Sequence, residues 1–428
     1  MTHTAENFSF YDQVRETGDA SEREKDLNHR FLRTLRRAYE HSSAYRRMYD
    51  AAGIDLSAIR DIRDIEKLPL LRMMDLVERQ RQVFPFGGFE IMESRSLLRI
   101  YVNSGLIFQP GGDWECEDTS WAQALCAAGF KPGDRIINTF NYHLWPFART
   151  MEESAGKIGA TVVPAGGGNT MMQVKIMQML EVNGFMGTPS FLTTLVQRAE
   201  GMGLDLGKDL FLETALVSAE MLPESLRTRL QEKLGMTVRQ AYGTVFLGCI
   251  GFECQAMTGL HVPEGILVEI VDPSTGRQVP PGAVGEIVAT CFSASYPMIR
   301  MATGDLSCLS EQRCACGRTG LLLKKLIGRL DQATKVKGVF IHPWQTDEVM
   351  SRYPEVVKYQ IVVTRRNHID FMTLMAEVKE GISETPSLQR KMEHELEELL
   401  GIRTSVQMVS RGTLPDRHRK IEDQRKWD

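Results

Sequence analysis

Short apolar runs alternate with helical stretches over most of the chain, and this alternation constrains the fold more than any other feature. From about residue 97 the runs are "LLRIYV", "RIINTF", "ATVVPAGGGN", "ETALVS" and "MTVRQAYG", with helical patterns such as "SLRTRLQEKLG" between several of them. Strands that alternate with helices are typical of parallel sheets. The pattern predicts an α/β core with mixed, largely parallel sheets. Apolar residues at helical spacing also predict one helix over residues 22–48.

The last hundred residues have a different pattern. After "LIGRLDQATKVKG" come two alternating strands, a helix and a further strand, an order that suits a small α+β domain. A chain of 428 residues is also too long for a single compact core. We therefore expect a large N-terminal domain over residues 1–328 and a small C-terminal domain over residues 329–428.

The charge balance excludes several classes of partner. The chain has 51 basic and 55 acidic residues and a net charge of −4, which argues against binding to nucleic acid or to an anionic membrane. Its first residues do not resemble a secretion signal, and no apolar run is long enough to cross a bilayer. The sequence therefore predicts a cytoplasmic protein that acts on small molecules.

The segment "RCACGRTG" contains two cysteines, Cys314 and Cys316, that are too close together for good disulfide geometry. A metal is the better interpretation, and Cys254 and His261 would complete a closed Cys₃His zinc site with a structural role. Alternatively, Cys254 is a buried thiol and His261 a hydrogen-bonded core histidine. Two further cysteines are spare candidates for ligands: Cys249 and Cys308.

Five further segments are weak signals individually but informative in their order. They are "YVNSGLIFQPGG" (101–112), "AYGTVFLG" (241–248), "RMATGDLS" (300–307), "GRLDQATKVKGVFIHP" (328–343) and "GTLPDRHRKIEDQR" (412–425). Alone, each is typical of a turn, a linker or a solvated mobile end. Together with "GTPSF", "SAEMLPESLRTRLQEKLG", "GLHVPEG" and "CACGRTG", they resemble the phenylacetate–coenzyme A ligase-like branch of the adenylate-forming enzymes, almost from end to end.

The resemblance implies a reaction in two steps. An acid attacks the α-phosphate of ATP to give an acyl-adenylate and pyrophosphate, and the thiol of coenzyme A then displaces AMP. It implies ATP or AMP, magnesium and coenzyme A as ligands, and a structural zinc ion at the Cys/His positions named above. Relatives often form dimers, although the sequence itself gives no oligomeric state.

The resemblance also implies roles for individual residues. Those expected at the nucleotide are Ser218, Ala219, Glu220, Tyr242, Gly243, Thr244, Asp305 and Arg329. Thr244 would contact the α-phosphate, and Asp305 would accept both ribose hydroxyls. Asp331 matches the hinge of the small domain, and Lys420 matches the lysine that this domain brings to the α-phosphate.

The same resemblance predicts an acid pocket with an aromatic lining. Its expected residues are Tyr142, His143, Trp145, Phe147, Gly187 and Pro189. Aromatic walls suit a planar aryl acid, although Phe147 is equally well explained as a core residue.

Three departures from the family pattern affect the pyrophosphate end of the site. Residues 106–108 are Leu-Ile-Phe where the family has Thr-Thr-Gly, and "MATGD" replaces "YRTGD". Phe246 stands in place of a glutamate that helps hold Mg²⁺, and an aromatic ring cannot ligate a hard cation. We therefore expect a weakened magnesium site beside a retained adenosine site.

These observations predict an ATP-dependent, AMP-forming ligase that joins an aromatic, phenylacetate-like acid to coenzyme A. Two alternatives remain open. The enzyme could pass the acyl group to another acceptor, such as an amine, a phenol or a small oxyacid. The chain could also be a non-catalytic protein that binds AMP or an acyl-adenylate.

Overall fold

The computed structural model describes residues 10–91, 97–112, 118–324, 326, 328–330, 334–337, 339–341, 343–367, 369–379, 386–415 and 419–425. The α-helices in these ranges are α1 (Gln13–Glu16), α2 (Ala20–His41), α3 (Ser43–Ala51), α4 (Met73–Gln82), α5 (Ser120–Ala128), α6 (Phe147–Lys157), α7 (Thr170–Met179), α8 (Pro189–Gly201), α9 (Leu206–Asp209), α10 (Glu224–Leu234), α11 (Pro343–Met350) and α12 (Pro386–Leu400). Short 3₁₀ turns cover Leu56–Ala58 and Ile62–Lys67. Across this described part, none of the helices is long and apolar enough to span a bilayer.

The strands fall into five sheets. They are β1 (Arg99–Asn103), β2 (Ile107–Gly111), β3 (Arg135–Asn138), β4 (Thr161–Pro164), β5 (Gly184–Gly187), β6 (Thr214–Val217), β7 (Thr237–Thr244), β8 (Gly248–Glu253), β9 (Leu260–His261), β10 (Ile266–Val271), β11 (Gly285–Cys291), β12 (Met298–Ser307), β13 (Leu322–Leu323), β14 (Gly328–Arg329), β15 (Thr334–Val336), β16 (Val339–Ile341), β17 (Val356–Arg366), β18 (Ile369–Val378), β19 (Ser405–Val409) and β20 (Ile421–Asp423).

The largest sheet has eight strands in the order β13-β9-β8-β7-β6-β5-β3-β4. Strands β4, β3, β5, β6 and β7 pair in parallel, whereas β8, β9 and β13 continue the sheet antiparallel. The predicted α/β class with mixed sheets is confirmed. Because the parallel strands share one direction, the segments that follow β5, β6 and β7 meet at the same edge.

The prediction of a single N-terminal helix over residues 22–48 is wrong. Helix α2 ends at His41, and α3 begins at Ser43, after an extended Ser42. The Ser42 hydroxyl accepts a hydrogen bond from the Tyr45 amide at 3.2 Å and donates one to the Gly88 carbonyl at 2.6 Å. Serine at an N-cap satisfies a helix amide that has no partner within the helix, and this local contact breaks the pattern.

A second sheet, β10-β11-β12-β14, is antiparallel throughout. Its strands β10 and β11 pair antiparallel on either side of the turn-rich segment around Pro280. At its far edge Arg329 of β14 pairs with Asp305 of β12, and Gly328 pairs with Leu306. Residues 328 and 329 therefore still belong to a sheet of the large N-terminal unit.

The small C-terminal unit is built on the sheet β19-β18-β17-β20. Strands β17 and β18 form a long antiparallel hairpin, and helix α12 buries Met392 and Leu396 in the core of this unit. Strand β20 runs parallel to β17, with Ile421 opposite Ile361. The interpretation of the basic tail as a mobile end is therefore wrong for residues 421–423.

Candidate functional site

Tyr242 and Asp305 meet beneath the edge at which the parallel strands end. The Tyr242 hydroxyl donates a hydrogen bond to Asp305 Oδ2 at 2.7 Å, and both residues are buried. The backbone of Arg329 pairs with that of Asp305 on the neighbouring strand. Three residues expected at the nucleotide thus converge from β7, β12 and β14. The hinge candidate Asp331 lies outside the described residues.

The segment from Ser218 to Glu220 follows β6 directly. The Ser218 amide donates to the Gly187 carbonyl at 3.1 Å, and Ala219 has a φ of +70°, in the left-handed region that non-glycine residues seldom adopt. The Glu220 carboxylate accepts hydrogen bonds from the Ser190 hydroxyl at 2.9 Å and the Ser190 amide at 3.3 Å. Burial raises the pKa of Glu220, and the nearby carboxylate of Asp370 in the small unit raises it further.

A cavity of about 340 Å³ lies beside Thr244. Its walls include five aromatic rings, from Trp121, Phe147, Phe246, Phe292 and Tyr296. Phe147 makes an edge-to-face contact with Trp121 at 4.8 Å between ring centroids and another with Phe140 at 4.4 Å. Polar and charged residues line other parts of the cavity, among them Gln109, Asp118 and Glu264.

Of the four aromatic and histidine residues predicted for the acid pocket, only one lies in the lining of the described cavity. Phe147 lines the cavity, whereas Tyr142, His143 and Trp145 are outside its lining. The Tyr142 hydroxyl accepts a hydrogen bond from Asn138 Nδ2 at 2.9 Å, and its burial raises the pKa of the phenol. His143 is exposed and Trp145 is half-buried. Direct contact of these three residues with the acid stays a prediction.

Gly187 and Pro189 sit where β5 passes into α8. A Cβ atom added at Gly187 would lie 2.0 Å from Thr139 Oγ1 and 2.5 Å from the ring of Phe185, so a side chain has no room there. Pro189 occupies the first turn of α8, a position that suits its fixed φ. Thr188 caps this helix through a hydrogen bond from the Phe191 amide. Both residues lie outside the lining of the cavity beside Thr244, and their contact with the acid stays a prediction.

Residues 106–108, which are Leu-Ile-Phe where the family has Thr-Thr-Gly, belong to the hairpin β1–β2, with Ser104 to Leu106 at its turn. Leu106 is 68% exposed at a φ of +56°, and Ile107 is buried. The Gln80 side chain makes two hydrogen bonds with the backbone of Phe108. It accepts one from the amide at 2.9 Å and donates one to the carbonyl at 2.6 Å. The Phe108 ring also packs edge to face on Phe84. Apolar packing therefore fixes residues that in the family pattern are small or hydroxylated.

The Cys/His residues named from the sequence come together in one buried cluster. Cys254 Sγ lies 3.5 Å from Cys314 Sγ, and Cys316 Sγ lies 3.4 Å from His261 Nε2. One ligand atom from each of the four lies within 4.8 Å of the others. Tetrahedral zinc with bonds of about 2.3 Å to sulfur places its ligand atoms about 3.8 Å apart, so the cluster fits this ion.

Both the pairing of strands and the local chemistry support the cluster. Strand β13 pairs with β9, with Leu322 opposite His261, which brings the Cys-x-Cys segment beside the histidine. A hydrogen bond from Cys254, and then one from His261, lowers the pKa of Cys316 and favours the thiolate that a metal requires. The spare candidates lie elsewhere, since Cys249 lines the cavity and Cys308 is outside the cluster.

Comparison with known proteins identifies the family of this chain. Residues 116–291 match the AMP-binding enzyme family, and residues 338–425 match the AMP-binding enzyme C-terminal domain. The phenylacetate-coenzyme A ligase of Thermus thermophilus is 33% identical over 363 residues, which are 82% of this chain and 80% of that ligase. The chain belongs to the phenylacetate–coenzyme A ligase-like branch of the adenylate-forming enzymes. It is an AMP-forming acyl-CoA ligase by family.

A second relative and a solved structure extend the likeness to nearly all of the ligase. The phenylacetate-coenzyme A ligase of Escherichia coli is 29% identical over 94% of both chains. A 2-hydroxyisobutyryl-CoA ligase crystallised with its acyl-adenylate and CoA in the thioesterification state gives a TM-score of 0.92 at 25% identity, covering 99% of this chain and 94% of that one. Against the same protein in its postadenylation state the TM-score is 0.72. The large and small units of this ligase are therefore arranged much as in the thioesterification state.

Lys420 belongs to the small unit of the ligase, immediately before β20. Its Nζ atom contacts Asp347 Oδ1 of α11 and lies 5.7 Å from the centre of the Tyr359 ring. Its carbonyl accepts a hydrogen bond from the Ile361 amide at 2.8 Å, which fixes it to β17. This contact with Asp347 fits an arrangement in which the lysine is held by its own unit. Its role at the α-phosphate stays a prediction.

Sequence reasoning missed the main aromatic wall of the cavity. Trp121 is 2% exposed and stands at the start of α5, a helix buried along its whole length. Its sequence neighbours, "SWAQALCAA", are small and apolar, so the segment looks like a plain core helix. The nearest signal is that the family match begins at residue 116, immediately before this helix.

Proposed function

We propose that this ligase activates an aromatic carboxylic acid as its adenylate and transfers the acyl group to coenzyme A. The observation that carries the proposal is the cavity of about 340 Å³ beside Thr244, with Trp121 and Phe147 among its walls. An aryl ring placed there can make edge-to-face contacts with both side chains. The names of two relatives, both phenylacetate-coenzyme A ligases, support an arylacetic acid as the substrate.

The proposed chemistry assigns a separate task to each end of the site. In the first step a carboxylate oxygen attacks the α-phosphorus of ATP, and pyrophosphate leaves. Asp305, held by the Tyr242 hydroxyl, accepts hydrogen bonds from the ribose hydroxyls and so fixes the sugar. Lys420 then stabilises the charge that develops on the α-phosphate oxygens. In the second step the CoA sulfur attacks the acyl carbon, its proton is released, and AMP leaves.

The residues around Phe246 do not fit magnesium as the family pattern would hold it. The Phe246 ring is buried, packs in the hydrophobic core and supplies no oxygen ligand. Gln109, whose side chain donates to the Val245 carbonyl at 3.2 Å, is the neighbouring polar side chain of the hairpin. We therefore assign no step to a protein-bound metal at this position.

A two-part assay tests the proposed function. Exchange of labelled pyrophosphate into ATP, dependent on phenylacetate, reports the first step, and CoA-dependent release of AMP reports the second. Exchange with phenylacetate or substituted arylacetates supports the proposal. If AMP is released without CoA but only with an amine or a phenol, coenzyme A is not the acceptor. Tight AMP binding without exchange across a broad panel of acids contradicts carboxylate activation altogether.

Replacing Phe147 tests the aromatic wall directly. Phe147→Leu removes a ring that an aryl acid in the cavity would contact, and one edge-to-face contact of this kind contributes about 0.5–1.5 kcal/mol. We expect kcat/KM for phenylacetate to fall about 10-fold, since 1.4 kcal/mol corresponds to that factor. The exposed Phe211→Leu is the matched control. Equal losses for phenylacetate and for a small aliphatic acid would show that the ring is not a specificity element.

We also propose that the Cys/His cluster holds one structural zinc ion. A closed Cys₃His set leaves no position for substrate, so the ion would stabilise the region between β9 and β13. The double variant Cys314→Ser/Cys316→Ser should lose the metal and unfold at a lower temperature, because metal binding contributes to folding. The control is Cys308→Ser, a buried thiol outside the cluster. Metal analysis decides the matter, and an unchanged zinc content in the double variant would exclude the site.

A further inference from the structure

Two arginines stand at the solvent side of the cavity, and neither belongs to the family motifs. Arg15 of α1 and Arg30 of α2 are part of the same cavity lining as Thr244. Their side chains are 50% and 33% exposed, respectively, so this side of the cavity meets solvent. A ligand that reaches from Thr244 to the surface would therefore pass two guanidinium groups.

The two guanidinium groups share a single carboxylate. Arg30 Nε lies 2.9 Å from Asp26 Oδ2, and Arg15 Nη2 lies 3.3 Å from the same oxygen. Two positive charges thus face the single negative charge of Asp26. Because exposed ion pairs contribute little to stability, an incoming anion can replace Asp26 at small cost.

The other charged groups of the lining have their own partners. Glu264 is paired with Arg23, whose guanidinium lies 2.5 Å from one carboxylate oxygen and 2.9 Å from the other. The Asp118 carboxylate accepts hydrogen bonds from the amide and the hydroxyl of Ser120 at 2.8 and 2.6 Å. Both carboxylates thus accept their hydrogen bonds from donors other than Arg15 and Arg30, while Asp118 keeps a negative charge in the lining.

The helix that carries Arg15 is firmly anchored. The adjacent Glu16 forms an ion pair of 2.7 Å with Arg318, and both side chains are at most 3% exposed. The Thr319 amide donates to the Glu16 carbonyl at 3.1 Å, and the Thr319 hydroxyl donates to the Gly18 carbonyl at 2.5 Å. The loop that follows the metal-ligand candidate Cys316 thus holds α1 in place, and Arg15 has a defined position at the mouth.

We propose that Arg15 and Arg30 form an anion-binding site that holds the charged end of a substrate while its reacting end lies near Thr244. Guanidinium groups bind phosphate and carboxylate through charge-assisted, often bidentate hydrogen bonds. Two substrate groups of this chemistry exist, namely the phosphates of coenzyme A and a second carboxylate on the acid. The choice of these two substrates rests on the function proposed above.

Binding experiments without turnover test the site. Calorimetry compares CoA with pantetheine, which lacks the phosphates, on the wild type and on Arg15→Gln/Arg30→Gln. We expect CoA to bind about 10- to 100-fold more weakly to the double variant, with pantetheine unchanged, because charge-assisted hydrogen bonds are lost. Asp26→Asn should have the opposite effect and tighten CoA binding, most clearly at low salt. Arg63→Gln, at an exposed pair with Asp61 outside the cavity, is the control.

The second arm identifies the source of the anion. If CoA binding is unchanged, the KM for 4-carboxyphenylacetate should rise in the double variant while that for phenylacetate stays constant, and the site then serves the acid. Unchanged values for both ligands in a variant that melts like the wild type overturn the proposal. CoA binding is measured without catalysis. If the ligase fails to activate phenylacetate, that result contradicts the proposed function, but the CoA-binding test of the anion site still stands.

Discussion

Lys420→Ala should slow acid-dependent pyrophosphate exchange by about 100- to 1000-fold, because it removes a cation from the developing charge on the α-phosphate. The same variant should form thioester from a preformed acyl-adenylate at nearly the wild-type rate. This asymmetry follows from the arrangement of the ligase, in which Lys420 contacts Asp347 within the small unit while the fold resembles the thioesterification state.

The matched control for Lys420 is Lys391→Ala, at an exposed lysine of α12 in the same unit. This control variant removes the same positive charge without affecting β20, the strand that directly follows Lys420. If Lys420→Ala retains full exchange, then the lysine does not serve the first step. Equal losses in both half-reactions would instead indicate that the variant disturbs the small unit as a whole.

Arg300→Met should lower the free energy of unfolding by about 3–5 kcal/mol, since it leaves a buried charge without its partner. Arg300 pairs with both oxygens of Glu269 at 2.9 and 3.1 Å, and both side chains are at most 3% exposed. Its guanidinium also donates to the carbonyls of Leu68 and Gly276. This network joins the N-terminal segment to β12, the strand that carries Asp305.

The loss of stability in Arg300→Met should depend on pH in a defined direction. Burial raises the pKa of Glu269 above its usual value, and the arginine opposes this shift. Without Arg300 the carboxyl pKa rises further, so the folded variant binds a proton that the unfolded chain has lost. Stability is then greatest at acidic pH and falls as the pH rises through the raised pKa. Urea unfolding at pH 5 and pH 8 should show the larger deficit at pH 8.

The double variant Arg300→Met/Glu269→Leu provides the control for this mechanism. An apolar pair of similar volume is often as stable as a buried ion pair, so much of the lost stability should return. Lys67→Met, at an exposed pair with Asp64, should change little. Identical deficits at both pH values would contradict the explanation by an uncompensated carboxylate.

Local sequence patterns predicted the features that depend on local chemistry. The parallel strands and the strands of the small unit follow from alternating apolar patterns, and both are present. The end of α10 at Gly235, with a φ of +65°, is equally local. The break at Ser42 escaped notice because the apolar spacing continues across the serine N-cap that causes it.

The composition of the site depends on longer-range contacts, and these set the limit of sequence reasoning. The sequence alone allowed Cys314 and Cys316 to be grouped with Cys254 and His261, because few residue types ligate zinc. The structure brings all four residues together. Neither Trp121 nor Arg15 carries such a chemical signature. Each reaches the cavity through packing of segments more than a hundred residues from Thr244, which spacing cannot reveal.

The absence of space at Gly187 has a consequence for redesign of the ligase. An added Cβ would collide with the side chains of Thr139 and Phe185, so every substitution at this position must displace these two buried side chains. Directed evolution toward new acids should therefore hold Gly187 constant and place its diversity at Phe147 and Phe246. Smaller residues at these two positions of the cavity lining would admit bulkier acids.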